Sequence, residues 1–368
     1  MLVLSLLTSL FATWLALTLL KPVALRARLL DLPNGRKQHQ GAIPLIGGIS
    51  IFTGLSVAVL SALPVDHILS TWLLCSLGIV LLGVGDDAED LSVRLRLTMQ
   101  ILLTCALCSG TGLHLENLGN LLGLGEIHLG VFGYPLSVIA VIAAINCFNM
   151  IDGIDGLLGF VSMVTFASLA LLFGGHENHF PVYAVALLFI AALVPYLANN
   201  LLLPPFKQKV FMGDAGSMLI GFTIIWLLME GTQRAEPVLR PVTALWLIAI
   251  PLMDMARVTL QRIRLGKSPF AAGRDHLHHI LQRARLSKIQ VVLLITLLAS
   301  IMAGIGLLSE WRQSNETVML AGFLLSYYIF QSAVNYLDES GKDLHSLLVR
   351  LNPFTQTVRK MPAKSGSK

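Results

Sequence analysis

Eleven apolar runs, each about the length of a membrane-crossing helix, govern what this chain can fold into. They lie at about 2–20, 45–64, 69–85, 95–112, 131–148, 157–174, 181–199, 215–231, 241–259, 288–308 and 317–336. A spanning helix needs about 20 mostly apolar residues. Lipid admits only helices or closed barrels, because every backbone polar group must be satisfied internally. The pattern predicts an all-α polytopic membrane bundle of about 11 transmembrane helices. Composition agrees: 55% of residues are hydrophobic and 13% charged, against about 25% charged in an ordinary soluble domain. So much apolar surface cannot fit inside one soluble core. No internal repeat divides the chain. Residues 1–340 read as a single integral-membrane domain and residues 341–368 as a basic cytoplasmic tail.

The first run, Met1 to Leu20, has no charged residue, and the positive residues Lys21, Arg26 and Arg28 follow it. A secretory signal wants its positive charge first and a small-residue cleavage site afterwards, so this run reads as an uncleaved span. Cys105 and Cys108 form a C-x-x-C spacing, but apolar flanks and the lack of a second pair mark them, with Cys75 and Cys147, as small buried residues.

Lys and Arg fix the orientation, because positive loops stay cytoplasmic. With the amino terminus in the periplasm and the carboxyl terminus in the cytoplasm, 23 of the 26 Lys and Arg residues fall inside, and only Arg234, Arg240 and Arg312 fall outside. The inside loops are then about 21–44, 85–95, 146–157, 200–216 and 257–288. The loop 146–157 lacks any positive residue and carries Asp152 and Asp155 instead.

Four polar constellations share that inner face. Asp86-Asp87-Ala88-Glu89-Asp90 closes the third run, and Asp86 and Asp90 are spaced to share a helix face. Like charges so close call for a cation between them or for free water. Hard oxygen ligands suit Mg²⁺ or Mn²⁺, and a solvated acidic turn is the plainer alternative. Asn146, Asn149, Asp152 and Asp155 repeat every three positions, drawing one polar stripe that Gly153 and Gly156 then loosen. Amides at bilayer depth are costly unless they line a wet site.

The third constellation, Met212-Gly213-Asp214-Ala215-Gly216-Ser217, enters the eighth run. Such a turn offers phosphate the free N–H groups of a helix start, with Asp214 available to a metal. The competing reading has Asp214 or Ser217 simply capping the helix. The fourth is Arg274-Asp275-His276-Leu277-His278-His279. Its histidines lack the spacing of a zinc helix, yet His can hydrogen-bond phosphate oxygens. The basic run around it could also bind anionic membrane lipid. Asp254 is a lone intramembrane carboxylate that either pairs with Arg257 or serves the site. Asn200 ends the seventh run and joins Gly216 and Ser217 among the candidate substrate-binding residues.

Carboxylates, an anion-binding turn, histidines and excess Lys and Arg are the equipment of phosphoryl transfer, which is mostly positioning and charge neutralisation around a divalent ion. A cation- or proton-coupled transporter would set its polar residues near mid-bilayer and often in paired repeats. A non-catalytic scaffold has no need to gather carboxylates on one face. Nothing points to nucleic acid.

Several motifs together resemble the polyprenyl-phosphate N-acetylhexosamine-1-phosphate transferases. They are Arg36-Lys-Gln-His39-Gln-Gly-Ala-Ile-Pro-Leu-Ile-Gly-Gly48, the Asp86-Asp87 pair, Asn146 to Leu157, Met212 to Ser217, Pro241 to Asp254, and His276-Leu-His-His279, in one order across residues 20–310. The resemblance is closest to the bacterial branch that loads N-acetylglucosamine onto undecaprenyl phosphate for O-antigen and enterobacterial common antigen. It implies UDP-N-acetylglucosamine as donor, undecaprenyl phosphate as acceptor, UMP as product, Mg²⁺ or Mn²⁺ as cofactor, and the bacterial inner membrane as location.

By the same resemblance Asp214 is the leading metal ligand, and Asp86 and Asp87 serve catalysis and help hold the metal. Asp152 and Asp155 belong to the nucleotide site with Asn146 and Asn149 alongside. His279, with His276 and His278, meets the donor diphosphate, and Arg262 and Lys267 are further donor contacts. The relative that transfers phospho-N-acetylmuramoyl-pentapeptide commonly has Lys after its Asp-Asp pair, where this chain has Asp90. That departure favours the N-acetylglucosamine donor, with a sister transferase on another UDP-N-acetylhexosamine as the alternative. A homodimer is one assembly the resemblance allows.

Overall fold

Why each apolar run becomes a helix is visible at its ends in the computed structural model, which describes residues 2–32, 41–268 and 273–340. The helices are α1 (Leu2–Ala27), α2 (Gly47–Ala62), α3 (His67–Glu89), α4 (Val93–Thr111), α5 (Gly133–Ile151), α6 (Leu157–Phe173), α7 (Phe180–Asn200), α8 (Gly213–Gln233), α9 (Pro241–Leu247), α10 (Ala249–Arg264), α11 (Leu277–Arg283), α12 (Lys288–Trp311) and α13 (Glu316–Ser340). One short antiparallel pair, β1 (Leu30–Asp31) with β2 (Ile43–Pro44), bridges α1 and α2. The cap of α3 is Asp66, which accepts from Leu69 N at 2.8 Å, and Ser92 caps α4 through Leu95 N at 3.3 Å. A reciprocal Ser287–Gln290 capping box starts α12. Arg36, Lys37, His39 and the tail 341–368 lie outside the described residues.

All eleven apolar runs are helical, but they are not eleven equal spans. Among the described residues, seven helices are long and apolar enough to cross a bilayer, and the bent pair α9–α10 raises this to eight. α2 and α6 are shorter apolar helices. α4 carries Arg94 and Arg96 at its start and is not among the seven. The run expected to be continuous at 241–259 is broken by a bend of 84° between α9 and α10. Pro251 supplies the physical reason, since it has no N–H to give the carbonyl four residues earlier. That carbonyl, Leu247 O, accepts instead from the Thr165 hydroxyl of α6 at 3.1 Å.

α8 is the axis of the bundle. Every residue from Ala215 to Thr232 is buried, and α2, α3 and α5 pack around it. Trp226 of α8 stacks on Trp72 of α3 at 5.0 Å. By contrast α1 presents Val3, Leu4, Phe11 and Leu19 outward, and α13 presents Val318, Leu325 and Tyr328. Exposed apolar faces of this kind are what a helix shows to lipid. At 1.5 Å per residue, Asp214 at the start of α8 stands about 24 Å from Glu230 near its end. Glu230 is buried against Arg234 with two contacts of 2.7 Å, so the two polar ends of α8 are separated by apolar helix.

Candidate active site

Consecutive residues on a helix point about 100° apart, and Asp86 and Asp87, in the last turn of α3, use that divergence. Asp87 reaches α8: its Oδ1 accepts from Asp214 N at 2.8 Å and its Oδ2 from Ala215 N at 3.3 Å. The side chain at the N-cap position, Met212, makes no capping bond. Asp87 therefore caps α8 from another helix. This corrects two expectations. The first N–H groups of α8 are already engaged by a carboxylate, so they do not stand open for phosphate. Neither Asp214 nor Ser217 is the cap, and Ser217 Oγ donates backward to Gly213 O and Asp214 O, both at 3.3 Å.

Small residues bring these backbones together. Gly47 N donates to Phe211 O and Gly48 N to Met212 O, both at 2.9 Å. A Cβ on Gly48 would lie 2.1 Å from Gly216 N, and one on Gly83 would lie 2.3 Å from Ala215 Cα. Gly213 has φ +71°, which glycine alone adopts at little cost, and a Cβ there would meet Asp87 Oδ2 at 2.5 Å. Gly216 is thus a packing residue against Gly48, not a substrate contact in this arrangement.

Asp86 turns the other way. Its Oδ2 pairs with Arg96 Nη1 at 2.7 Å, its Oδ1 accepts from Leu91 N at 2.9 Å, and only 1% of the side chain is exposed. The Asp214 carboxyl stands beside those of Asp87 and Asp86. Carboxylates drawn this close call for positive charge among them, part of which Arg96 supplies. Asp90, expected on the face of Asp86, instead ends α3 in the left-handed conformation at φ +49° and is exposed. Arg96 enters the site although its sequence marked it only as loop charge.

The turn after α5 supplies the next carboxylates. Asp152 is its C-cap. Burial, then the charge of Asp87, then that of Asp155 push its carboxyl up to about 7. Asp155 pairs with Lys209 at 2.8 Å. Asn200 was expected to meet substrate. It is engaged at both ends instead, accepting from Gly156 N at 2.7 Å and donating to Val210 O at 2.9 Å, so it braces the turn. Asn146 gives its amide to Ile142 O at 2.8 Å. With Asn149, Arg96, Gln100 and Met218 it lines a small polar cleft between α4, α5 and α8.

The histidines close the remaining side. His278 is 2% exposed, has no partner at either ring nitrogen, and abuts Gly153, where a Cβ would lie 2.1 Å from its Nε2. Burial, then His279, lowers its pKa to about 3, so it is neutral at any working pH. Burial, then the charges of His276, Arg274 and Arg283, also lower that of His279. His276 Nδ1 lies 2.8 Å from Asp254 Oδ2, which gives the lone intramembrane carboxylate a partner besides Arg257, at 3.4 Å. Arg262 is buried beside Asp275 at 3.6 Å. Lys267 is exposed in the turn after α10, and among the described residues no contact ties it to the carboxylates.

The structure thus links Asp86, Asp87, Asp214, Asp152 and His278 into one cluster at one end of the bundle. Among the described residues no three His, Cys, Asp or Glu side chains form a ready-made metal cage. The donor set still fits Mg²⁺ or Mn²⁺, because it is all hard carboxylate oxygen. Mg²⁺ in particular is commonly held by one or two carboxylates, with substrate phosphates and water completing its shell.

Known proteins resemble this chain over most of its length. Residues 69–232, which include Asp86, Asp87, Asp152, Asp155 and Asp214, match Glycosyl transferase family 4. A Salmonella typhi protein named undecaprenyl-phosphate alpha-N-acetylglucosaminyl 1-phosphate transferase is 46% identical over 322 residues, 86% of this chain and 87% of that protein. Proteins of the same name from Escherichia coli strain K12 and Pasteurella multocida are 44% and 43% identical, covering 87% and 93% of their lengths. Identity at this level across nearly the whole of both chains shows kinship, and this chain belongs to glycosyl transferase family 4.

Proposed function

We propose that this chain transfers N-acetylglucosamine-1-phosphate from UDP-N-acetylglucosamine to undecaprenyl phosphate and releases UMP, at the cytoplasmic face of a bacterial inner membrane. The observation that carries the reading is the meeting of Asp86, Asp87, Asp152 and Asp214 from three separate helical segments beside His278. Its kinship with proteins of 43–46% identity that bear this activity in their names supports the chemistry. The distribution of Lys and Arg supports the cytoplasmic placement, with the amino terminus in the periplasm and eleven membrane passages.

The reaction is read as a single displacement. An acceptor phosphate oxygen attacks the phosphorus that bears the sugar, a new P–O bond forms, and the P–O bond to UMP breaks. The acceptor phosphate is already largely a dianion near neutral pH, so no strong base is required. Mg²⁺ or Mn²⁺, held by Asp214 with Asp86 and Asp87 beside it, would neutralise the diphosphate when bound. The chain's own residues supply position: Arg96 fixes Asp86, Asp87 fixes the start of α8 and hence Asp214, and Lys209 fixes Asp155. A two-step route through an aspartyl phosphate would leave a phosphorylated enzyme after incubation with donor alone.

UMP release by the purified chain in detergent, with undecaprenyl phosphate, Mg²⁺ and UDP-N-acetylglucosamine, tests the proposal beside Asp214→Asn. Lipid-dependent release that vanishes in the variant is the expected result. Release only with another UDP-N-acetylhexosamine would transfer the assignment to a sister transferase, and no release with any donor would end the reading.

A further inference from the structure

The histidine segment is held by one face of α10. Asp254, Arg257 and Gln261 follow one another at spacings of three and four, which places them on a common face. Asp254 Oδ1 accepts from Leu277 N at 2.9 Å while its Oδ2 meets His276 Nδ1 at 2.8 Å. Arg257 lies 3.4 Å from the same carboxylate, donates to Asp275 O, and reaches Gln261 Oε1 at 3.3 Å. Three consecutive residues, 275–277, are therefore pinned. Asp254, Arg257 and His276 are 3%, 2% and 7% exposed, so this grip is internal and unscreened.

A carboxylate only accepts, so Nδ1 of His276 carries the proton and Nε2 is the nitrogen left for a ligand. His278 has no partner at either nitrogen. Of the three histidines, His276 is the one whose ring orientation and counter-charge are both fixed by a neighbour.

Resting on the donor assignment above, we propose that Asp254 is a positioning residue. It sets His276 so that Nε2, taking a proton from water as the donor binds, donates to an oxygen of the sugar-bearing phosphate, and its carboxylate balances the positive ring that results. The carboxylate partner of a metal-bound histidine commonly controls affinity by about 10–100-fold, and the same orienting role is asked of Asp254 here.

Calorimetry with UDP and UMP on the full chain in detergent tests the proposal. Asp254→Asn and His276→Gln should each weaken UDP binding roughly ten- to thirty-fold and UMP binding less than threefold. The double variant should bind UDP no more weakly than His276→Gln alone. In turnover, Asp254→Asn should raise the donor KM and leave the acceptor KM unchanged. Additive losses, or equal losses for UDP and UMP, would overturn the proposal. Should Asp254→Asn fail to fold, ¹⁵N-imidazole spectra of the wild type, with His276 assigned through His276→Gln, must show a protonated Nδ1, and a bare Nδ1 overturns it too. Wild-type protein that binds no uridine nucleotide defeats the donor assignment, whereas normal binding with additive losses defeats only the Asp254–His276 coupling.

Discussion

Gly48→Ala should disable the site while leaving the bundle folded. The added Cβ would sit 2.1 Å from Gly216 N, 2.4 Å from Gly216 Cα and 2.6 Å from Ala215 C. These are backbone atoms of α8, so no rotamer change can relieve the clash. Reaching the 3.4 Å at which ordinary contact begins requires α2 and α8 to part by about 1.3 Å, a clash whose relief typically costs about 1–3 kcal/mol. The same shift strains the two 2.9 Å bonds from Gly47 N and Gly48 N to Phe211 O and Met212 O, each worth about 1 kcal/mol net. A loss of about 2–4 kcal/mol follows. Asp214 starts the moved helix, and a misplacement of about 1 Å near reacting groups can cost about 10²-fold in rate. Lipid-dependent UMP release and thermal melting in detergent would be measured together, with Gly304→Ala as the control. Gly304 has nothing within 4 Å of its Cβ position and lies inside α12, so alanine there should be neutral or stabilising by up to about 1 kcal/mol. Gly48→Ala activity within threefold of wild type, or melting equal to the control, would refute the close-approach argument.

Four further outcomes follow from the same geometry. Asp87→Ala leaves Asp214 N and Ala215 N without their acceptor and should melt below Asp87→Asn, which keeps one oxygen, by about 1 kcal/mol. Both should lose turnover, and identical melting would remove Asp87 as the cap of α8. Arg96→Gln strips the counter-charge from buried Asp86; with 27% of the Arg96 side chain exposed, the loss should be about 2–3 kcal/mol, below the range for fully buried pairs, and an unchanged melting temperature would contradict it. The Asp152 carboxyl, raised to about 7 by burial and then by Asp87 and Asp155, binds a proton that the unfolded chain has released above about pH 4. Stability should therefore fall as pH rises from about 4 to 7, a slope that Asp152→Asn should flatten and whose persistence in that variant would reject the assignment. Chelation with EDTA should abolish UMP release and added Mg²⁺ or Mn²⁺ should restore it, whereas full activity after chelation would exclude a required divalent ion.

What could be read from the sequence was whatever is local. Apolar runs announce helices because the periodicity and the terminating residues lie within one segment, and the polar stripe Asn146–Asp155 stands out for the same reason. Reach across the chain was hidden. Nothing near Asp87 says that it caps a helix beginning 126 residues later at Gly213, and Arg96 looked like topology charge until α4 folded back to set it on Asp86. Asn200 misled because its position at a helix end suits either a ligand or a brace, and only the partners Gly156 and Val210 decide. Pro251 sits inside a run whose apolar length reads as one continuous span, and the sequence alone does not say that Thr165 fills the carbonyl it leaves open, which is what makes a sharp bend tolerable in an apolar surrounding.

The glycines around the carboxylates explain how such a cluster can exist at all. Acidic groups drawn together repel, and on flexible supports they would simply move apart. Here the supports are backbones in direct contact, Gly48 on Gly216 and Gly83 on Ala215, with Gly153 set against the ring of His278. Rotamers cannot relax that spacing, so the repulsion persists in the folded state, where burial and then the charges of Asp87 and Asp155 raise Asp152. A site held in this condition is organised before its ligands arrive, which is the form of electrostatic catalysis that costs no rearrangement during reaction. It also follows that loosening one glycine contact relieves the repulsion and is partly offset in stability, while the alignment it enforced is lost. Activity should therefore respond to these glycines more steeply than stability does.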